Sequence, residues 1–199
     1  TGDRLLVATG RRPRTAGLGL ENAGIELGER GDVQVDARMS AGEGVWAIGD
    51  VTGVWPLTYV GKYQGRVAAA NILGGHAETS YDAVPRVVFS DPQAAAVGAA
   101  DGERAVTVPL SEVPRTATYT RAYAEKPGFL TLVSDGEYLT GAYALGPEAG
   151  EWLQQATLAI RARVPIAVMA DTIQPFPTFS EAFMHALLEL APAKVPVVA

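Results

Sequence analysis

Up to residue 74 the apolar positions of this chain gather in short β-branched runs and one long Ala-rich run; beyond residue 82 they fall into a series of short segments. Residues 5–8 read as a buried strand, residues 18–25 as a short helix or turn, and residues 32–36 as a strand with period-two alternation. A small-residue turn at 40–44 leads into Val45-Trp46-Ala47-Ile48-Gly49-Asp50-Val51-Thr52-Gly53, an apolar run ending in Gly-Asp and a Gly-closed turn. That order suits a buried strand whose last residues meet a ligand at the carboxyl edge of a sheet. Residues 59–73 form an Ala-rich stretch without internal proline, with Pro56 ahead of it and Gly74-Gly75 behind it, which predicts a helix. Gly61, Gly65 and Ala69, four apart, give that helix a narrow face for close approach to a neighbour.

Residues 75–82 are polar and loop-like, and the pattern beyond them turns strand-rich. Strands are predicted at 86–89, 94–97, 105–110, 116–123, 129–133 and 138–145, with Asp135-Gly136 a hairpin signal between the last two. Helical spacing follows at 148–163, 166–172 and 178–190, and the tail at 191–199, with two prolines, adds little. Strands and then helices, without βαβ alternation, predict an α+β class built on a mostly antiparallel sheet. The composition shift divides the chain into domains 1–80 and 81–199.

Composition narrows the chemistry. An apolar fraction of 48% fits a folded chain, and 199 residues give room for one or two domains with ample core. A net charge of −6 offers no basic field for nucleic acid or an anionic membrane, so neither is expected as a partner. No apolar run nears the roughly 20 residues that span a bilayer, and no basic-then-apolar leader is visible, which points to a cytoplasmic protein. The absence of cysteine removes disulfides, thiolate catalysis and thiolate metal sites. His76 and His185 stand in unrelated settings, so no metal site is expected.

The candidate chemistry centres on Gly49 and Asp50. Gly49 has no Cβ to keep another molecule off the backbone, and Asp50 carries an acceptor-only carboxylate suited to a sugar or polyol hydroxyl. The helix opening near Leu57-Thr58-Tyr59 would bring a positive end to the same place. Taken alone, a strand closed by an Asx turn is the simpler reading of Asp50. Arg11, Arg12 and Arg14 read either as a solvated turn or as partners of a nucleotide phosphate. Thr178-x-x-Glu181 has the form of a capping box at the start of the last helix.

Ala8-Thr9-Gly10-Arg11-Arg12-Pro13, then Val45-Trp46-Ala47-Ile48-Gly49-Asp50, then Val88-Phe89-Ser90-Asp91-Pro92 with Val97-Gly98, resemble the pyridine nucleotide–disulfide oxidoreductases. These are the FAD enzymes that include dihydrolipoamide dehydrogenase and mercuric reductase. The resemblance runs in the family's order and spacing to about residue 190. It implies the carboxyl-terminal part of such an enzyme: the end of a Rossmann-like FAD/NAD(P)-binding region over 1–80, and over 81–199 an interface domain that pairs two subunits as a homodimer. The strand at 5–8, with no partner upstream, fits a chain cut out of something larger. The implied cofactors are FAD and NAD(P)H. Thr9 and Gly10 would lie where the chain crosses from the NAD(P) domain to the FAD domain. Gly49 and Asp50 would meet the ribityl chain or adjoining phosphate, and Leu57, Thr58 and Tyr59 the pyrimidine end of the flavin ring. Reduction puts negative charge on that end, which amides at a helix start favour. The aromatics at 176, 179 and 183 are candidates for the self-complementary dimer patch, although core packing explains Phe183 equally well.

The chain departs from the family at one position. Disulfide-reducing members carry His-Pro-Thr-x-x-Glu, the His acting as a base with a pKa near neutrality. Here the segment reads Phe176-Pro177-Thr178-Phe179-Ser180-Glu181, and phenylalanine takes no proton. No catalytic residue is therefore assigned. With no His to orient, Glu181 reads as structural ahead of catalytic. The expected activity is an oxidoreductase that passes electrons from NAD(P)H through FAD to a quinone, dye, metal ion or oxygen. Two alternatives stand beside it: a homodimerising module without catalysis, and a disulfide reductase with its base elsewhere. Neither Gly-x-Gly-x-x-Gly loops nor a Cys-x4-Cys pair occurs in these residues, so the chain alone is expected to hold FAD weakly and to turn over no substrate.

Overall fold

A computed structural model describes residues 2–119 and 128–191. The chain divides into two compact units, Thr1–Ser80 and Tyr81–Ala199.

The first unit is built on helix α1, Thr58–Ile72. Its stop is local chemistry: Gly74, at φ 87°, lets its N–H reach the Asn71 carbonyl (3.0 Å) while the Gly75 N–H reaches that of Ala70 (2.9 Å). Val67 and Ala68 of α1 pack with Met39 into a small core that Val35, Trp46, Tyr63 and Ala77 enclose. Strands β1, Ser40–Gly42, and β2, Val45–Trp46, form an antiparallel pair beside it.

Three strand readings give way here. The run into Gly49 leaves its ladder after Trp46, Ile48 is exposed, and Gly49–Thr52 winds into a 3-10 turn. Gly49 sits at φ 75°, a conformation no strand accommodates. Residues 5–8 form no strand, and Leu5 and Leu6 are 87% and 89% exposed rather than buried. A strand exists only through a neighbour's hydrogen bonds, and no described residue supplies them. Residues 32–36 keep the alternation, with Val33 buried between the more accessible Asp32 and Gln34, yet they form the single bridge of Leu27 with Val33 instead of a ladder, and the Val33 N–H goes to the Val51 carbonyl at 2.9 Å. The Asp36 carboxylate then accepts the Arg38 and Ser40 amides (2.9 and 2.8 Å), which turns the chain. The short element at 18–25 is a 3-10 turn over Leu20–Ala23.

The second unit is a five-stranded antiparallel sheet in the order β3-β4-β7-β6-β5. Its strands are β3 Arg86–Val88, β4 Gln93–Gly98, β5 Arg104–Pro109, β6 Phe129–Ser134 and β7 Leu139–Gly146. The Asp135-Gly136 hairpin joins β6 to β7, with the Asp135 carboxylate accepting the Glu137 and Tyr138 amides at 3.0 and 2.7 Å. Helices α2 Pro114–Tyr119, α3 Ala149–Trp152, α4 Gln154–Ala162, α5 Ile166–Ala170 and α6 Glu181–Leu190 complete the α+β unit. Val97, Val106, Leu130 and Leu132 bury one sheet face against Leu153, Phe183 and Leu187.

The predicted strand at 116–123 is overturned as far as it is described, since 114–119 form α2; residues 120–123 lie outside the described residues, as does the tail beyond 191. Pro114 opens the helix with its φ already set, and the Thr116 hydroxyl donates to the Leu110 carbonyl (2.6 Å) instead of lining a sheet. The single helix expected at 148–163 is two, because α3 is tied down separately. The Gly150 N–H bonds to Gln93 Oε1 at 3.0 Å and the Trp152 indole to the Pro147 carbonyl at 2.8 Å. The last helix begins at Glu181, not at 178.

Candidate functional site

In the first unit the turn after β2 is held from both sides. The Gly49 N–H donates to Gln64 Oε1 of α1 at 2.6 Å, and the Thr52 hydroxyl donates to the Gly49 carbonyl at 2.8 Å. Asp50 follows at once. Its carboxylate meets the Arg11 guanidinium at 2.8 Å, with both side chains open to solvent. An exposed pair of this kind is worth about 0.2–1 kcal/mol, so a ligand can replace either partner at little cost.

The pair stands in a cleft of about 940 Å³. Four arginines (11, 12, 14 and 30) and two aspartates (32 and 50) line it, which leaves positive charge in excess. Asp32 is engaged by the Gln34 amide at 2.6 Å. Of the residues singled out from sequence, Gly10, Arg11, Arg12, Arg14 and Asp50 line this cleft, and Gly49 secures Asp50 from behind. Thr9, Leu57, Thr58 and Tyr59 are not in its wall, though Pro56 is. Leu57 is the N-cap of α1, and its side chain makes no capping hydrogen bond. Sequence reasoning missed Gln64, Thr52 and Arg30. The available signal for Gln64 was an amide placed between Gly61 and Gly65 on the narrow helix face.

In the second unit Phe176 is 72% exposed, whereas Phe179 and Phe183 are buried against Trp152 at ring-centroid distances of 6.3 Å each. Of the three aromatics considered for a dimer patch, only Phe176 therefore stands at the surface. Glu181 is buried, and its Oε2 accepts the Thr178 N–H at 3.4 Å. The Thr178 hydroxyl donates to the Pro175 carbonyl (2.7 Å) rather than accepting a helical amide. The capping box is thus half formed, because Glu181 is the first helical residue and Thr178 lies outside the helix. No titratable group stands at position 176.

In the β6–β7 hairpin two groups shift. The amides of Tyr138 and Glu137 hold the Asp135 carboxyl below its ordinary value, and the bond to Glu137 pushes the Tyr138 phenol up. Among the described residues no group of three or more His, Asp or Glu could hold a metal ion, and no helix is long and apolar enough to cross a membrane.

Fold and site together define a chain with an anion-compatible cleft in one unit and a helix-backed antiparallel sheet in the other. Residues 84–187 match the family described as "Pyridine nucleotide-disulphide oxidoreductase, dimerisation domain", and residues 1–65 match "Pyridine nucleotide-disulphide oxidoreductase". The chain belongs to the pyridine nucleotide-disulphide oxidoreductases. It is 41% identical over 193 residues to a dihydrolipoyl dehydrogenase of Thermus scotoductus, covering 92% of this chain and 41% of that protein. With a mercuric reductase of Acidithiobacillus ferrooxidans it shares 38% identity over 190 residues, covering 90% and 34%. The structure is similar to LpdA from Mycobacterium tuberculosis (TM-score 0.80, 29% identity, 91% of this chain and 41% of that one). It is also similar to the Cu(II) complex of the HOCl-induced flavoprotein disulfide reductase RclA from Escherichia coli (TM-score 0.81, 30% identity, 94% and 45%). The chain spans about two fifths of the length of the dihydrolipoyl dehydrogenases it matches. Members of the family are FAD-dependent oxidoreductases that use NAD(P)H.

Proposed function

We propose that this chain is the carboxyl-terminal part of an FAD- and NAD(P)H-dependent oxidoreductase whose electron acceptor is reduced without His-assisted disulfide chemistry. Phe176 carries the reading. It stands immediately before Pro177-Thr178-x-x-Glu181, where the disulfide-reducing members place their base, and it is exposed, aromatic and unable to take a proton. A quinone, a dye, a metal ion or oxygen needs no such base.

The cleft of the first unit fits part of a dinucleotide cofactor. Its guanidinium groups suit a diphosphate, and Asp50 offers an exposed acceptor for a polyol hydroxyl. Bound there, FAD would supply the hydride-accepting and electron-passing chemistry between NAD(P)H and the acceptor. The chain's own part is to bind and orient. Arg11 and its neighbours neutralise phosphate charge, Asp50 fixes the ribityl chain, and the first turn of α1 favours negative charge near Leu57, Thr58 and Tyr59. On this reading residues 1–80 close the FAD/NAD(P)-binding region, and residues 81–199 pair with a second copy. Exposed Ile173, Phe176, Leu158 and Val168 in the second unit supply apolar surface for that pairing. The cytoplasm is the proposed location.

The test is steady-state turnover of the full-length flavoprotein with NADH or NADPH, using a quinone or dye acceptor and, separately, lipoamide. Turnover with the quinone or dye and none with lipoamide is the expected result. Rapid lipoamide reduction refutes the reading, because position 176 would then not be where a base is needed.

A further inference from the structure

Among the buried residues of α1, Gln64 alone is polar, and it is fully enclosed. A primary amide leaves water only when its polar atoms are satisfied. Gln64 Oε1 meets the Gly49 N–H at 2.6 Å, and since an N–H only donates, the group facing it has to be an acceptor. The contact belongs to a larger seat. A Cβ on Gly61 would stand 3.3 Å from Gly49 Cα, and one on Gly65 would stand 3.4 Å from Ile48 Cδ1. Positions 61, 64 and 65 share one face of α1, so Gly61 lets the Gly49 backbone settle onto the helix, Gly65 leaves room for the Ile48 side chain, and Gln64 pins the turn there. Thr52 holds the Gly49 carbonyl from the other side, at 2.8 Å. Asp50 is the next residue, and its carboxylate lies in the arginine-lined cleft.

We propose that Gln64 is a positioning residue for the flavin: through Gly49 it fixes the Asp50 carboxylate, and so sets the affinity for the ribityl part of FAD. The proposal rests on the reading of the cleft as an FAD site and adds the residue that aims it. An Asp side chain has two torsions of its own, so where its oxygens can reach is decided by the backbone that carries it. A backbone held before the ligand arrives spares the ligand the cost of ordering it.

The test titrates FAD into the apo form of the full-length flavoprotein by flavin fluorescence, well below the apoprotein's melting temperature, which is recorded alongside. Gln64→Leu removes the acceptor at similar volume and is expected to raise the Kd about tenfold or more, as befits a lost buried hydrogen bond. Gln64→Glu keeps the acceptor but loses the Nε2 donor and buries a carboxyl, so it is expected to recover part of the loss seen with Leu. A role confined to stability would lower the melting temperature and leave both Kd values alone; that outcome overturns the proposal, as does equal loss with Leu and Glu. If Gln64→Leu does not fold, Gly61→Ala carries the test: its methyl would stand 3.3 Å from Gly49 Cα and is expected to raise the Kd by displacing Gly49; an unchanged Kd overturns the proposal. Asp50→Ala separates the two layers. An unchanged Kd there sinks the reading of the cleft, and the positioning role with it. Weakened binding in Asp50→Ala beside wild-type binding in Gln64→Leu sinks the positioning role alone.

Discussion

Arg104 at the start of β5 holds the far end of α6. Its Nη1 donates to the Leu190 carbonyl at 2.6 Å and its Nη2 to that of Glu189 at 2.9 Å. Carbonyls in the last turn of a helix have no partner within it, and a cation there also favours the helix dipole. The helix is worth holding: Ala182, Phe183, Ala186, Leu187 and Leu190 are all buried beneath it. Arg104→Met keeps most of the stem and removes the fork. Hydrogen bonds from a charged donor are worth about 1.5–3 kcal/mol each when buried. Arg104 is exposed and the Glu189 bond is open to water, so solvent recovers most of one bond, leaving about 1–2.5 kcal/mol for the clamp. Native-state hydrogen exchange reads this directly. Protection of the α6 amides should fall about 5- to 70-fold in Arg104→Met, with α1 unaffected. Arg104→Lys, which keeps the charge without the fork, should recover less than half of the loss. Unchanged α6 protection, or an equal fall in α1, refutes the clamp.

Phe176→His in the full-length flavoprotein should leave NAD(P)H oxidation with a dye acceptor nearly unchanged; a marked change would place Phe176 in contact with that acceptor. Asp135 has its folded-state pKa lowered by the Tyr138 and Glu137 amides, so its contribution is present above the unfolded value of about 3.9 and lost as pH falls through the folded one. The stability gap between wild type and Asp135→Asn should therefore be constant above about pH 5 and close below pH 3.9 in urea titrations; a gap that stays flat into strong acid contradicts it. The 199-residue chain expressed alone should be a colourless dimer by ultracentrifugation, and Ile173→Asp, at a side chain 94% exposed, should make it monomeric. A stoichiometric flavin absorbance, or a dimer that survives the aspartate, goes against this.

What the sequence made legible was what each residue decides with its near neighbours. Helix α1 follows from alanine content and a Gly-Gly stop, both local, and its predicted span differs from the observed one by a residue at each end. The β6–β7 hairpin follows from Asp135-Gly136, whose carboxylate and positive φ make the turn without distant help. Residues 5–8 and 45–53 misled because β character belongs to a pair, and alternation or apolarity in one segment does not say whether a partner is there. At 116–119 β-branched residues suggested a strand, but Pro114 had already set the first turn of a helix and Thr116 found the Leu110 carbonyl. The site divides the same way. Asp50 is visible because Gly-Asp after an apolar run is unusual, while Gln64 in a helical pattern looks like an ordinary surface amide. Only the seat formed with Gly61 and Gly65 reveals that it faces inward.

Glu181 is where the proposed absence of a base at position 176 can be tested. The carboxylate is 6% exposed, and its recorded hydrogen bond is to the Thr178 amide, three residues back and outside α6. Thr178 does not return the bond to the helix; its hydroxyl ties down the Pro175 carbonyl at 2.7 Å. Glu181 and Thr178 therefore stabilise the segment 175–181 that carries Phe176, rather than the helix start. An oxygen acceptor suffices for that work, and charge is not required. Glu181→Gln, whose amide oxygen accepts the same N–H, should keep thermal stability and dye turnover near wild type. Glu181→Ala should lose about 0.5–1.5 kcal/mol, the range for a bond that is long at 3.4 Å, with flavin content retained. A catalytic carboxylate predicts the reverse: Gln would abolish turnover while melting as wild type does. That pattern, measured with the dye acceptor and the melting temperature side by side, would return Glu181 to the chemistry and require a proton carrier other than position 176.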